Sequence, residues 1–347
     1  MDAPFEPGLP VEIGRIEKEL GKLWESSGDT KTRASLINLV VYTEDPASVA
    51  ADTALISAIA GKHACRAILI LANPHAEESG AKAWINAHCH MAGKGRQICS
   101  EQITFRLDGD SAAALPNIVF SHLDSDLPLC LWWKPDFPEP LDEKLWGWVD
   151  RVIYDSSSWK NPAHQFALVR HISSGEGDGI VLCDLNWTRL FPWRYALAGM
   201  FDHSAALPCL PEIGKLSIAA PPSGRTAALL IAGWFANRLN WGLAPDGRSF
   251  ASAKGQRIAF EIESGSGAGI LESVRLECGK SSFELKLTED AEFFESTMRI
   301  PGIPEVHQLS PAPQGRLEET LLRELSRAGR HALYTKSLDT VLQLVAR

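Results

Sequence analysis

Residues 36–42, Leu-Ile-Asn-Leu-Val-Val-Tyr, and residues 66–71, Arg-Ala-Ile-Leu-Ile-Leu, decide the fold of the first half of the chain. Both runs are apolar and rich in branched side chains, which is typical of buried strands. Between them, Asp45-Pro46 opens a segment with apolar residues at helical spacing that continues to about Gly61. A strand, a helix and a strand in this order form a parallel pair with a right-handed crossover. We therefore expect a wound α/β sheet.

The loop after the first strand reads Thr43-Glu-Asp-Pro46 and contains no Gly-x-Gly-x-x-Gly. In dinucleotide-binding sheets those glycines let the backbone approach the pyrophosphate at the start of the helix. The sequence therefore disfavours a dinucleotide site of the Rossmann type, and we expect no cofactor.

Three further segments extend this sheet domain. Residues 97–107 are predicted to form a strand, 111–123 a helix and 127–133 another buried strand. Open α/β sheets bind ligands beyond the carboxyl ends of their strands, which makes Trp132 and Trp133 candidates for a binding edge. The alternative is a tryptophan pair that caps the core. Because consecutive strand residues point to opposite faces, we expect one ring to be buried and one exposed.

The pattern changes in the second half, and 347 residues exceed the usual size of one domain. We place the boundary at the Pro208-Cys-Leu-Pro211 segment, between an N-terminal α/β domain (1–208) and a C-terminal α+β domain (209–347). Several extended segments between residues 257 and 300 predict an antiparallel meander, because charged or Gly-rich turns separate them. Leucines at helical spacing after residue 314 predict terminal helices.

One stretch concentrates unusual residues, namely Asp184-Leu-Asn-Trp-Thr-Arg-Leu-Phe-Pro-Trp-Arg194. A short apolar strand precedes it and a helical apolar pattern follows it, so it is predicted to lie where a strand meets a helix. Pro192 suits the first turn of that helix, since its missing N–H would have no intrahelical partner there.

The residue types of this stretch allow two interpretations. Arginine forks and tryptophan rings are over-represented in interface hot spots, and they also suit sugars and phosphates. Alternatively, Trp187 and Trp193 are core anchors, while Asp184 pairs with Arg189 or Arg194 to satisfy a buried charge. The two interpretations do not exclude each other.

The stretch resembles the signature of the OpcA family of glucose-6-phosphate dehydrogenase assembly proteins, whose usual form is close to Asp-Leu-x-Trp-Thr-Arg-Leu-Thr-Pro-Trp-Arg. Phe191 stands where threonine is commoner. Residues 36–41, 65–70 and 126–133 resemble other recurring segments of that family in the same order. The resemblance covers residues 9 to 203 well and the remainder in outline.

The resemblance implies a non-catalytic, allosteric activator that binds glucose-6-phosphate dehydrogenase and favours its active oligomer, in support of the oxidative pentose phosphate pathway. The residues that we expect to contact this partner, or to hold the signature together, are Asp184, Trp187, Thr188, Arg189, Pro192, Trp193, Arg194, Trp132 and Trp133. An alternative is a sensor of sugar phosphates or other small anions that uses Arg189 or Arg194 and the nearby tryptophans. An enzyme ranks third, since the sequence shows no nucleophile with its base and no cofactor fingerprint.

Metal chemistry is also disfavoured by the sequence. A polar, Gly-rich stretch from 73 to 96 carries His88-Cys-His90, but further ligands have no clear sequence partner, so we expect no metal. The seven cysteines lack CxxC spacing, and reduced thiols packed as small hydrophobes are the favoured interpretation.

Charge and hydropathy limit the partners. The net charge is −9, whereas nucleic acids and anionic membranes need a basic patch to displace counterions. Hydrophobic residues make up 45% and charged residues 22%, as in ordinary globular proteins. The first residues have no signal-peptide pattern, and no apolar run is long enough to span a bilayer. We expect a cytoplasmic protein with a protein partner.

Overall fold

The computed structural model describes residues 7–25, 31–92, 96–140, 143–174, 179–267, 269–313 and 315–346. The strands, in chain order, are β1 (Leu9–Val11), β2 (Lys31–Arg33), β3 (Ile37–Thr43), β4 (Cys65–Asn73), β5 (Gly80–Ala92), β6 (Arg96–Asp108), β7 (Leu129–Trp133), β8 (Arg151–Tyr154), β9 (Val181–Asp184), β10 (Lys215–Ala220), β11 (Gly242–Leu243), β12 (Ser249–Ala251), β13 (Arg257–Ser264), β14 (Ser273–Cys278), β15 (Ser281–Leu287), β16 (Phe293–Arg299) and β17 (Val306–Pro311). The helices are α1 (Ile16–Glu25), α2 (Val49–Ala60), α3 (Leu115–His122), α4 (Glu143–Trp146), α5 (Pro162–Ser174), α6 (Leu185–Arg189), α7 (Phe191–Gly199), α8 (Arg225–Leu239), α9 (Leu317–Leu325) and α10 (Ala332–Val345).

Two compact units interleave along the chain. The first takes residues 1–154, 178–183 and 317–329, and the second takes residues 155–177, 184–316 and 330–347. The chain passes from the first unit to the second after β8 and again at the end of β9. A single cut after residue 208 therefore does not reproduce these units, and the domains 1–208 and 209–347 stay a prediction.

The first unit is built on a nine-stranded sheet with the order β1-β5-β6-β4-β3-β7-β8-β9, in which β2 pairs separately with β6. Within that order, strands β6, β4, β3, β7 and β8 run parallel to one another. Every residue of β3 is buried, which is expected of a parallel strand covered on both faces. The predicted unit of strand, helix and strand is β3, α2 and β4, and the wound, mostly parallel sheet is confirmed.

Strand β5, which pairs with the predicted strand β6 in a long hairpin, is an element of this sheet that the sequence interpretation lacks. The two strands pair antiparallel over thirteen positions, from Gly80 opposite Asp108 to Ala92 opposite Arg96. From Asn86 to Met91 every residue of β5 is exposed or half-buried, which fits the polar residues Asn86, His88 and His90 in this part of the strand. As a histidine, His88 is a potential metal ligand, but its Nε2 atom is hydrogen-bonded to the Gln102 side-chain oxygen at 2.8 Å.

The same hairpin corrects the expectation that all cysteines are reduced. Cys89 and Cys99 lie directly opposite each other in the antiparallel register and form a disulfide, with 4.0 Å between their Cα atoms. The pairing depends on the strand register, which the spacing of the cysteines in sequence does not reveal. The five other cysteines are free thiols, as expected.

The second unit is built on an eight-stranded sheet with the order β11-β12-β13-β10-β14-β15-β16-β17. Strands β14, β15 and β16 form the expected antiparallel meander, which β17 extends. The segment that forms β13 was also expected in this meander, but β13 pairs parallel with β10, which separates it from β14. The apolar residues of β10, Leu216, Ile218 and Ala220, are buried, and β10 contacts α8. The α+β character of the second part of the chain is confirmed.

Helix α8 is the central helix of this second unit. Its residues from Thr226 to Ala236 are all buried, and it packs closely against α10. Gly233 makes this approach feasible, because a Cβ atom there would lie only 2.7 Å from Val341 Cγ2. Within the described part of the chain, no helix has the length and apolar character that a membrane crossing requires.

Candidate functional site

The family-like signature forms two short helices that begin where β9 ends. Asp184 caps α6, because its backbone is extended and its carboxylate accepts a hydrogen bond from the Asn186 N–H at 2.9 Å. Leu190 ends α6 and also precedes α7, which starts at Phe191 and carries Pro192 in its first turn. The predicted helix start near Pro192 is confirmed. The signature is therefore a strand end followed by a tight helical corner.

Asp184 is the centre of a buried polar network. Its carboxylate accepts hydrogen bonds from the Ser156 backbone N–H at 3.1 Å and from the Ser156 hydroxyl at 2.7 Å. The Asn186 side-chain amide in turn donates to the Ser156 hydroxyl at 3.1 Å. Complete burial raises the pKa of Asp184 to about 7, and the nearby Asp155 carboxylate adds to the rise. The network ties the segment after β8 to the start of α6.

Arg189 is ion-paired with Asp155 rather than with Asp184. The guanidinium donates from Nη1 to Asp155 Oδ1 at 3.0 Å and from Nη2 to the other carboxylate oxygen. Burial alone would raise the pKa of Asp155, but the Arg189 guanidinium and the Ser157 hydroxyl outweigh it and lower that pKa. The alternative in which Asp184 pairs with Arg189 or Arg194 was wrong on this point, because the hydrogen bonds of Asp184 come from Ser156 and Asn186 instead.

Arg194 and the two tryptophans of the signature are packed inward. The Arg194 guanidinium lies over the Trp187 ring, 3.7 Å from its centroid, and donates to the Trp187 carbonyl oxygen at 2.8 Å. The Trp187 ring contacts Tyr334, and the Trp193 ring meets Phe294 edge-on with 4.8 Å between centroids. Trp187 and Trp193 are each 3% exposed, so in this chain they are core anchors.

Two further signature residues are also covered by the fold. Thr188 is 4% exposed, and Pro192 is half-buried. Each arginine already has a strong partner, so a small anion would have to displace Asp155 from Arg189 or pull Arg194 from Trp187. This geometry weakens the alternative of a sugar-phosphate sensor.

The outward side of α7 carries two aromatic residues that the sequence interpretation did not propose as contacts. Phe191 is 44% exposed and Tyr195 is 74% exposed, and their rings stack with 6.1 Å between centroids. The signal was present in the sequence, since positions 191 and 195 lie one turn apart and opposite to the buried Trp193 and Leu197.

Trp132 and Trp133 belong to the first unit and do not form a displayed edge. Both are buried, at 3% and 5% exposure, because β7 lies inside the sheet with both faces covered. The Trp133 ring stacks on Tyr42 at 3.9 Å, and its indole N–H donates to the Asp136 carbonyl oxygen at 3.1 Å. The expectation of one buried and one exposed ring was wrong.

Two family models match the chain. Residues 56–171 match the model described as the glucose-6-phosphate dehydrogenase subunit N-terminal domain, and residues 180–338 match the one described as its C-terminal domain. The second match contains the signature from Asp184 to Arg194.

Curated relatives carry a matching description. The chain is 28% identical over 316 residues to a putative OxPP cycle protein OpcA of Synechocystis sp., covering 83% of this chain and 65% of the relative. It is 32% identical over 189 residues to the protein of that description in Nostoc punctiforme, covering 53% of this chain and 39% of the relative. The chain thus spans between about two fifths and two thirds of the length of these relatives.

Among solved structures, an oxidoreductase from Sinorhizobium meliloti aligns with a TM-score of 0.47 and 14% identity, covering 90% of this chain and 89% of that one. The family assignment rests on the two matched domains, which together include strands β4 to β9 of the first sheet, the whole second sheet and the buried signature corner. The chain belongs to the OpcA family of glucose-6-phosphate dehydrogenase assembly proteins.

Proposed function

We propose that this protein binds glucose-6-phosphate dehydrogenase and favours the active oligomer of that enzyme, while catalysing nothing itself. The observation that carries the proposal is the match of both parts of the chain to domains described as belonging to a glucose-6-phosphate dehydrogenase subunit. The descriptions of the curated relatives, which refer to the OxPP cycle, support a role in the oxidative pentose phosphate pathway. We place the encounter in the cytoplasm.

The proposed activation needs only a difference in affinity. A protein that binds the active oligomer more tightly than the dissociated enzyme shifts the population toward the oligomer by that difference. A tenfold preference corresponds to about 1.4 kcal/mol of free energy. Catalysis remains with the dehydrogenase.

The chemistry of the signature supports a binding role over a catalytic one. Two carboxylates at the signature have structural roles. Asp184 accepts hydrogen bonds from the Ser156 hydroxyl and from the Asn186 N–H at the start of α6, and Asp155 is ion-paired with Arg189. The tryptophans of the signature fill the core. What the signature presents to solvent is aromatic surface on α7, and such surface is typical of protein contacts.

The test combines purified chain with the glucose-6-phosphate dehydrogenase of the same organism. NADPH formation and the mass of the complexes are recorded together as the chain is titrated, with bovine serum albumin as the control protein. We expect activity to rise with the appearance of a heavier complex that contains both proteins. Unchanged activity and unchanged mass at saturating chain would contradict the proposal.

A further inference from the structure

Helix α7 has a solvent-facing side without charge. The side chains and backbone that it exposes belong to Phe191, Tyr195, Ala198 and Gly199, which lie one or two turns apart along one side of the helix. We call these four residues the α7 outward face. A solvent-facing helix side normally carries charged and polar residues, and this one carries two aromatic rings and two small residues instead.

The charge that α7 does contain is turned away from this face. Arg194 is the only Lys, Arg, Asp or Glu between Phe191 and Gly199, and its guanidinium is held inward on the Trp187 ring and carbonyl. The centres of protein interfaces are depleted in charged residues and enriched in tyrosine, tryptophan and phenylalanine. The α7 outward face has that composition.

The buried contacts of the signature fix the direction of this face. Trp193, which lies two positions from both Phe191 and Tyr195, meets Phe294 edge-on, and the α7 residue Leu197 is 1% exposed. Pro192 and the Asp184 cap set where the two helices start. Phe191 and Tyr195 are thus presented on a rigid corner, and a preorganised contact loses less entropy on binding than a mobile one.

The size of the face bears on what covers it. A large aromatic side chain offers about 150–250 Å² of surface, so the exposed parts of Phe191 and Tyr195 with the two small residues amount to about 300 Å². A symmetric pair of chains joined through this face alone would bury about 600 Å² in total. That area is below the roughly 1,200 Å² of stable interfaces and falls among incidental contacts. The net charge of −9 on each chain also disfavours bringing two copies together.

Resting on the proposed function, we propose that the α7 outward face is the central contact on which glucose-6-phosphate dehydrogenase docks. The occupant is an apolar or aromatic surface of that enzyme. Because the face alone is too small for a stable interface, this docking requires further contacts around it. Tyr195 is the anchor, since it is the more exposed ring and offers both an apolar body and a hydroxyl. The buried signature residues act on binding indirectly, by holding α7 in place.

The experiment compares full-length chains that carry Tyr195→Asp or Trp148→Asp with the unchanged protein. Trp148 is the matched control, because it is an aromatic residue of similar exposure, 69%, that lies outside α7. Circular dichroism and thermal unfolding establish that each variant is folded. The dissociation constant for the dehydrogenase is then measured by biolayer interferometry, and the oligomeric state of each chain alone by sedimentation.

Tyr195→Asp is expected to raise the dissociation constant at least about tenfold, while Trp148→Asp leaves it unchanged. If Tyr195→Asp binds as tightly as the unchanged protein, the docking face is refuted and the proposed function stands. If the unchanged protein itself fails to bind, the proposed function is refuted, and the docking face with it. A dimer of the unchanged chain that Tyr195→Asp dissociates would assign the face to a second copy and overturn the proposal.

Discussion

The guanidinium of Arg194 lies 3.7 Å from the centroid of the Trp187 ring and donates a hydrogen bond to the carbonyl oxygen of the same residue. The buried charge of Arg194 is thus stabilised by the face of the Trp187 ring and by the Trp187 carbonyl oxygen, seven positions earlier in the chain. The pair joins α6 to α7 across their sharp corner. A residue that suggests phosphate binding in the sequence is therefore part of the internal packing of the second unit.

Replacement of Arg194 by alanine should destabilise the protein by about 2 kcal/mol or more, because it removes a desolvated cation–π contact and a charged hydrogen bond. Urea denaturation followed by tryptophan fluorescence measures the change in the free energy of unfolding. Arg248→Ala is the control, since Arg248 is exposed and its replacement should stay within about 0.5 kcal/mol. Equal stability of both variants would show that the Trp187–Arg194 pair contributes nothing.

Asp184 should make stability fall as pH rises. Its pKa is about 7 in the folded protein against an ordinary 3.8, so between these values the folded state binds a proton that the unfolded state has lost. The free energy of unfolding then decreases with pH, by at most about 1.4 kcal/mol per pH unit for one proton. Above about pH 8 this contribution is constant.

Asp184→Asn isolates this effect, because the amide cannot ionise. The free energy of unfolding of the wild type minus that of the variant should fall steadily between pH 5 and about pH 7 and then level off, as measured by urea denaturation in a buffer series. A difference that stays flat, or that grows with pH, would mean that the carboxylate is stabilised by its hydrogen bonds from Ser156 and Asn186 more than burial disfavours it.

The Cys89–Cys99 disulfide should be detectable in protein purified without reductant. It joins two residues with a sequence separation of 10. By reducing the conformational entropy of the unfolded chain, such a crosslink stabilises the folded state by about 2–3 kcal/mol. Cys89→Ser should therefore lower stability by about that amount under oxidising conditions, whereas Cys209→Ser, at a half-buried free thiol, should not. Mass mapping that finds Cys89 and Cys99 alkylated without prior reduction would contradict the disulfide.

Gly233→Ala should separate α8 from α10. The added Cβ atom would lie 2.7 Å from Val341 Cγ2 and 3.1 Å from the Ser337 carbonyl oxygen, so one helix must shift. Overpacking of this kind costs about 1–3 kcal/mol, which thermal unfolding by calorimetry can resolve. Gly242→Ala is the matched control, because nothing lies within 4 Å of its added Cβ atom. An unchanged unfolding temperature for Gly233→Ala would refute the close helix contact.

Periodicity predicted the parts of the fold in which sequence and burial agree. The run of buried residues in β3 and the parallel partner β4 follow directly from two apolar segments around a helix. Strand β5 did not follow, because its polar residues are explained only by its partner β6. The disulfide of Cys89 was missed for the same reason, since it depends on the register of two strands.

The residue types located the signature in the sequence, but they did not predict which of its side chains are exposed. Tryptophan and arginine serve both cores and interfaces, and only the packing of Trp187 against Arg194 and of Trp193 against Phe294 distinguishes the two. The partner of Arg189 is Asp155, which is distant in sequence and is brought close by the end of β8. The exposed Tyr195 lies just outside the signature and was passed over for that reason.

The most direct test of the central claim is the oligomer equilibrium of the dehydrogenase itself. Mass photometry of glucose-6-phosphate dehydrogenase over a dilution series gives the concentration at which half of its active oligomer has dissociated, with and without saturating chain. The account predicts that the chain lowers this concentration at least about tenfold, which corresponds to a differential affinity of about 1.4 kcal/mol. An identical dissociation midpoint in both series would contradict it.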